Sequence, residues 1–102
     1  MLAYQLLGRF PKNEQYGLTS QMQRAAVSIP SNIAEGKERH SDREFARFIA
    51  IALGFLAELE TQLLIAQRLG YLDEASLQVA TAQADEIGKM LRSLHKKLSI
   101  TN

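Results

Sequence analysis

Four polar side chains in the stretch QRAAVSIPSNIAEG, namely Arg24, Ser28, Ser31 and Glu35, recur at steps of three and four residues. On a helix that spacing puts them in one stripe, flanked by Gln21 and Asn32. Serine hydroxyls beside a carboxylate and a guanidinium could carry acyl transfer, but only with a base to take the hydroxyl proton and donors to hold an oxyanion. His40 is the only histidine nearby. The stripe therefore reads as packing chemistry. Short hydroxyl and amide groups suit a close helix contact or the carbonyls around Pro30, with Arg24 paired to Glu35 or Glu58. No catalytic residue is assigned, and the chain is expected not to be an enzyme.

Metal and nucleotide chemistry fare no better. His40 and His95 stand alone, without cysteine and without an HExxH spacing. Glu58 and Glu60 are two residues apart, so on a helix they point in different directions and cannot complete a Glu-x-x-His ligand set. Gly8, Gly17, Gly36, Gly54, Gly70 and Gly88 are scattered singly, which leaves no glycine-rich phosphate loop. No metal and no cofactor are expected.

Two basic groups remain. One is Lys37, Arg39, Arg43 and Arg47 in GKERHSDREFAR, and the other is Lys89, Arg92, Lys96 and Lys97 near the C-terminus. The net charge of +1 conceals them. Between Phe48 and Gly88 the one base, Arg68, faces Glu58, Glu60, Asp73, Glu74, Asp85 and Glu86. The basic groups could neutralise phosphates, and a ring of subunits would repeat each of them into a substantial field. The competing reading is ordinary surface charge. The first group is interleaved with Glu38, Asp42 and Glu44, and bases in the last turns of a helix also complement its dipole.

The elements that must position these residues are helices, because apolar periodicity near 3.6 dominates and strand-like alternation is absent. A first helix is predicted over about Leu2 to Arg9, ending where Pro11 biases Phe10 away from helical geometry. A second runs from about Leu18 or Thr19 to Lys37, with Leu18, Met22, Ala25, Ala26, Ile29 and Ile33 on one face. Pro30 inside it predicts a kink, and Gly36 near its end predicts a left-handed residue. In SDRE, Ser41 and Glu44 form a capping box that opens the third helix. Its seam is Phe45, Ile49, Ala52, Leu56, Leu59, Leu63 and Ala66, with Gly70 as the stop. Asp73 caps the fourth, whose seam is Leu77, Ala80, Ala84, Ile87, Leu91, Leu94 and Leu98. Heptad seams and short loops predict an all-α, antiparallel up-and-down four-helix bundle, with the second helix kinked near Pro30.

The third helix carries more apolar surface than one seam can use. From Phe48 to Ala57 it is apolar all round, and opposite the seam runs a line of small residues, Ala50, Gly54, Ala57 and Thr61. In so small a bundle that line is expected to meet a second subunit at close range. A chain of 102 residues is expected to be a single domain spanning 1–102. The absence of cysteine requires no oxidising compartment, and MLAYQLLGRF lacks the basic start and cleavage pattern of a secretory signal. The uncharged stretch Phe48 to Ala57 falls short of the roughly 20 apolar residues that span a bilayer. A soluble, cytoplasmic protein without membrane contact is expected.

The runs YGLTSQMQRAAVSIPSNIAEG and SDREFARFIAIALGFLAELETQLLIAQRLGYLD closely resemble the intervening-sequence proteins, first noticed in segments inserted within bacterial large-subunit ribosomal RNA genes. The similarity covers about Phe10 to Leu98, and its most specific parts are AAVSIPSNIAEG and ALGFLAELETQL. The polar stripe of Arg24, Ser28, Ser31, Asn32 and Glu35 falls in the family hallmark. The resemblance implies a four-helix bundle assembled as a ring of five. It also extends to accessory proteins of diversity-generating retroelements, which associate with a reverse transcriptase and contact nucleic acid through basic surface. It supplies no catalytic residues. Family members usually carry further sequence ahead of the part matching LAYQLLGRFP, so the resemblance puts Met1 inside the first helix. The expected function is a non-enzymatic homo-oligomeric scaffold, a homopentamer by the resemblance, that binds RNA or DNA and an associated protein such as a reverse transcriptase. The alternative is a protein–protein adaptor with no nucleic-acid role.

Overall fold

The computed structural model describes residues 7–8 and 17–100. Among them are three helices: α1 (Leu18–Lys37), α2 (Asp42–Arg68) and α3 (Glu74–Ile100). The expectation of a four-helix bundle is thereby corrected to three described helices. The helix expected over Leu2 to Arg9 lies outside the described residues apart from Leu7 and Gly8. A stretch of eight residues is short for a bundle partner, since helices under roughly 12–15 residues draw their stability from packing.

The helix boundaries have local causes. At the start of α2, Ser41 is extended and its hydroxyl accepts from the Glu44 amide at 3.3 Å. Only half of the expected capping box forms, because the Glu44 carboxylate turns to Arg47 instead. Gly70 ends α2 at φ +83, with its amide on the Gln67 carbonyl and the Tyr71 amide on that of Ala66, the Schellman pattern. Asp73 opens α3 by accepting from the Ser76 amide at 2.7 Å.

In α1 the helix runs unbroken across Pro30. The proline is exposed, so its ring faces away from the helix contact. The side-chain bonds around it go to carbonyls a turn apart, from Ser28 Oγ to Arg24 and from Asn32 Nδ2 to Ser28, not to that of Ala26.

Helix α2 is the centre of the architecture. It packs against α1 on one side and α3 on the other, and α1 and α3 do not meet. Residues 38–41 and 69–73 are the only links, too short to run back along a helix, so each packed pair is antiparallel. One core joins all three helices. Met22 and Ala26 of α1, Ile49, Ala52 and Ala66 of α2 are fully buried, with Ala80, Ala84, Leu91 and Leu98 of α3 completing it. Leu7 belongs to the same core. Every seam position expected in these three helices is buried or half-buried. Among the described residues, Thr19 Oγ1 and Gln62 Oε1 are buried without a hydrogen-bond partner, a penalty on the order of 1–3 kcal/mol each.

Gly36 differs from its expected role. It is helical, and the left-handed residue in that turn is His40 at φ 56. Gly36 is buried because α2 comes so close that a Cβ there would lie 2.6 Å from Phe48 Cβ and 3.1 Å from Phe45 Cδ1. The glycine is a packing requirement between helices.

By length and composition α2 is also apolar enough to cross a membrane, with a mean hydropathy of 1.8 over its best 18 residues once two charged residues are allowed. Only 39% of that window is buried within the chain. Much of the apolar surface of the central helix is therefore left for other contacts.

Candidate nucleic-acid interface

The antiparallel order decides where the basic residues go. The end of α1, the start of α2 and the end of α3 share one end of the molecule. Lys37, Arg39, Arg43 and Arg47 are gathered there with Lys96 and Lys97, all of them exposed. The two basic groups, far apart in sequence, are one end of the fold. Lys89 lies about 10 Å further along α3 at 1.5 Å per residue. Arg92 lies back on its own helix, with both Nη atoms 3.1 Å from where a Gly88 Cβ would be. Glu35, Glu38, Asp42 and Glu44 share the basic end, Asp73 and Glu74 are at the opposite one, and Glu58, Glu60, Asp85 and Glu86 lie between.

At the α1–α2 turn four charges are organised around one ring. Arg39 donates to Glu35 at 2.8 Å, and Arg47 donates through Nε and Nη2 to Glu44 at 3.3 and 3.2 Å. Both guanidinium carbons lie over the Phe48 ring, 5.1 Å from its centroid for Arg39 and 4.7 Å for Arg47. Phe48 itself is 6% exposed. The hydrogen bond from Arg47, reinforced by the charges of Arg47, Arg39 and Arg43, holds the Glu44 carboxyl below the ordinary glutamate range. A depressed pKa means that the pair is complete at neutral pH and is lost as the pH falls through that lowered value.

Of the two partners expected for Arg24, Glu35 pairs instead with Arg39, a four-residue spacing readable in the sequence, and Arg24 forms no ion pair with Glu58 among the described residues. The Phe48 contacts cross a turn and leave no periodic signal. The rest of the polar stripe does not assemble into a catalytic group. The Ser28 hydroxyl donates to the Arg24 carbonyl at 2.7 Å, Ser31 is exposed, and Asn32 is tied to the Ser28 carbonyl. Among the described residues no base is hydrogen-bonded to either serine. Ala50, Gly54, Ala57 and Thr61 form an exposed row along α2, where a Cβ on Gly54 would meet nothing within 4 Å. Leu64 and Ile65, 44% and 45% exposed, extend the row toward Arg68.

Among the described residues the fold is all-helical, two helical hairpins that share a central helix, with basic side chains gathered at one end. The family model of the 23S rRNA-intervening sequence proteins matches residues 1–93, and the chain belongs to that family. No curated protein matches it.

Proposed function

We propose that this chain is a non-enzymatic, cytoplasmic scaffold that self-associates through the outer face of α2 and binds nucleic acid at its basic end. The observation that carries the nucleic-acid reading is the convergence of the α1–α2 turn and the end of α3. Bases scattered around the molecule would instead have favoured a protein adaptor. Self-association is supported by the exposed small-residue row with its apolar extension at Leu64 and Ile65. The resemblance adds a ring of five copies and a reverse transcriptase or similar enzyme as the associated protein.

Binding of the purified protein to labelled RNA and DNA across a salt series, with mass followed by light scattering, tests both parts. Affinity is expected to fall steeply with salt, and the slope to shrink by about 2 when Lys96 and Lys97 become glutamine. Absence of binding at low salt would leave the adaptor reading in its place. For the assembly, Gly54→Leu leaves the single chain room for the new side chain but overpacks a close subunit contact. The assembly mass should fall while helicity is kept; an unchanged mass would remove Gly54 from any subunit contact.

A further inference from the structure

We infer that Arg39 and Arg47, laid over Phe48, form a stacking surface for unpaired bases, so that the basic end takes single-stranded nucleic acid in preference to duplex. The inference rests on the nucleic-acid reading above and adds the form of the ligand.

A guanidinium offers N–H edges for forked hydrogen bonds and two flat faces for stacking. At Arg47 the Nε–Nη2 edge, one of the two that can fork a phosphate, is committed to Glu44, and the end-on edge loses its free Nη2 with it. At Arg39, Nη2 is committed to Glu35. The inner side of each group lies over the Phe48 ring. Yet the two side chains remain 47% and 56% exposed. Each side chain therefore keeps exposed surface while its charge is balanced by a neighbouring carboxylate. Such surface is weakly hydrated and suits a flat aromatic partner better than a free phosphate.

Unpaired bases present that kind of plane, whereas bases inside a duplex are covered by their neighbours. The surface is also held in place, because the close approach of Gly36 fixes Phe48 beneath it. Phosphates fall to Lys37, Arg43, Lys96 and Lys97, none of which forms an ion pair among the described residues. Stackers and phosphate contacts thus lie side by side at one end of the fold, the combination that single strands require.

The test compares a 12-nucleotide single-stranded RNA with a duplex of equal length at fixed salt. The wild-type chain should prefer the single strand by about five- to tenfold, the scale of one stacked base. Arg39→Lys with Arg47→Lys keeps the charge and removes the flat group, so most of that preference should disappear while duplex affinity and salt slope stay within about twofold. A second measurement needs no variant. A strand with abasic nucleotides keeps its phosphates, and the wild-type chain should bind it no better than duplex. Equal loss on both ligands, no loss on either, or an abasic strand bound as tightly as the intact one would overturn the stacking surface and leave the basic-end reading standing. No binding of any ligand to the wild-type chain at low salt would overturn both.

Discussion

Gly36→Ala is expected to lower the stability of the fold by about 2 kcal/mol, although alanine is the better helix former by about 1 kcal/mol. The sign is the informative part. In a helix with open space around it this exchange stabilises. Here the added methyl would lie 2.6 Å from Phe48 Cβ and 3.1 Å from Phe45 Cδ1. A Cβ is fixed to the backbone, and so is the atom it meets, so neither can rotate away. Relief requires α1 and α2 to separate near their shared turn, which lifts Phe45 and Phe48 from their places. At about 4–8 °C per kcal/mol for a domain of this size, the melting temperature should drop by roughly 10 °C. Urea unfolding of the two proteins decides the matter. An unchanged or higher midpoint in the variant would mean that the helices do not approach so closely there.

Ile49→Ala is expected to cost about 3 kcal/mol, the larger of the two effects. Ile49 is wholly buried in α2 within the core that joins all three helices. Removing its outer carbons leaves a cavity that the surroundings fill only in part, and such truncations fall in the range of about 2–5 kcal/mol. Val27 of α1, 47% exposed, is the comparison, and its truncation should stay within about 0.5 kcal/mol. Denaturant titrations with equal slopes would give both numbers directly. Were the two variants to lose similar stability, Ile49 could not be the shared core position that its burial indicates.

These residues also show where sequence reading succeeds. Ile49, Leu56 and Leu63 repeat at seven-residue spacing, and a buried seam follows from that repeat alone. Ser41, Gly70 and Asp73 were legible because caps depend on a few adjacent residues. Gly36 was misread for the complementary reason. Near a helix end a glycine suggests left-handed geometry, whereas its actual constraint comes from Phe48, twelve residues on and in another helix. The helix expected over Leu2 to Arg9 lies outside the described residues apart from Leu7 and Gly8, and the described residues hold three helices.

The candidate interface divides in the same way. The basic residues are named from the sequence and the short links predict the antiparallel order, but their convergence appears only when the two readings are combined. The Glu35–Arg39 pair follows a simple spacing rule, whereas the helical stripe points to Arg24 with Glu35 or Glu58. The arrangement over Phe48 depends on how a turn folds, and the surrounding residues give no repeat from which to infer it.

Because α1 and α3 each meet α2 but never each other, the tertiary contacts between the described helices all join neighbours in the chain. Such a topology has low contact order: no distant segments must find one another before stabilising contacts accumulate. Each helical hairpin can close early at little loop entropy, and whichever closes first presents α2 already formed to the other. Two hairpins with one helix in common thus offer the chain two routes to the same structure, and rapid folding follows from connectivity before any side chain is considered.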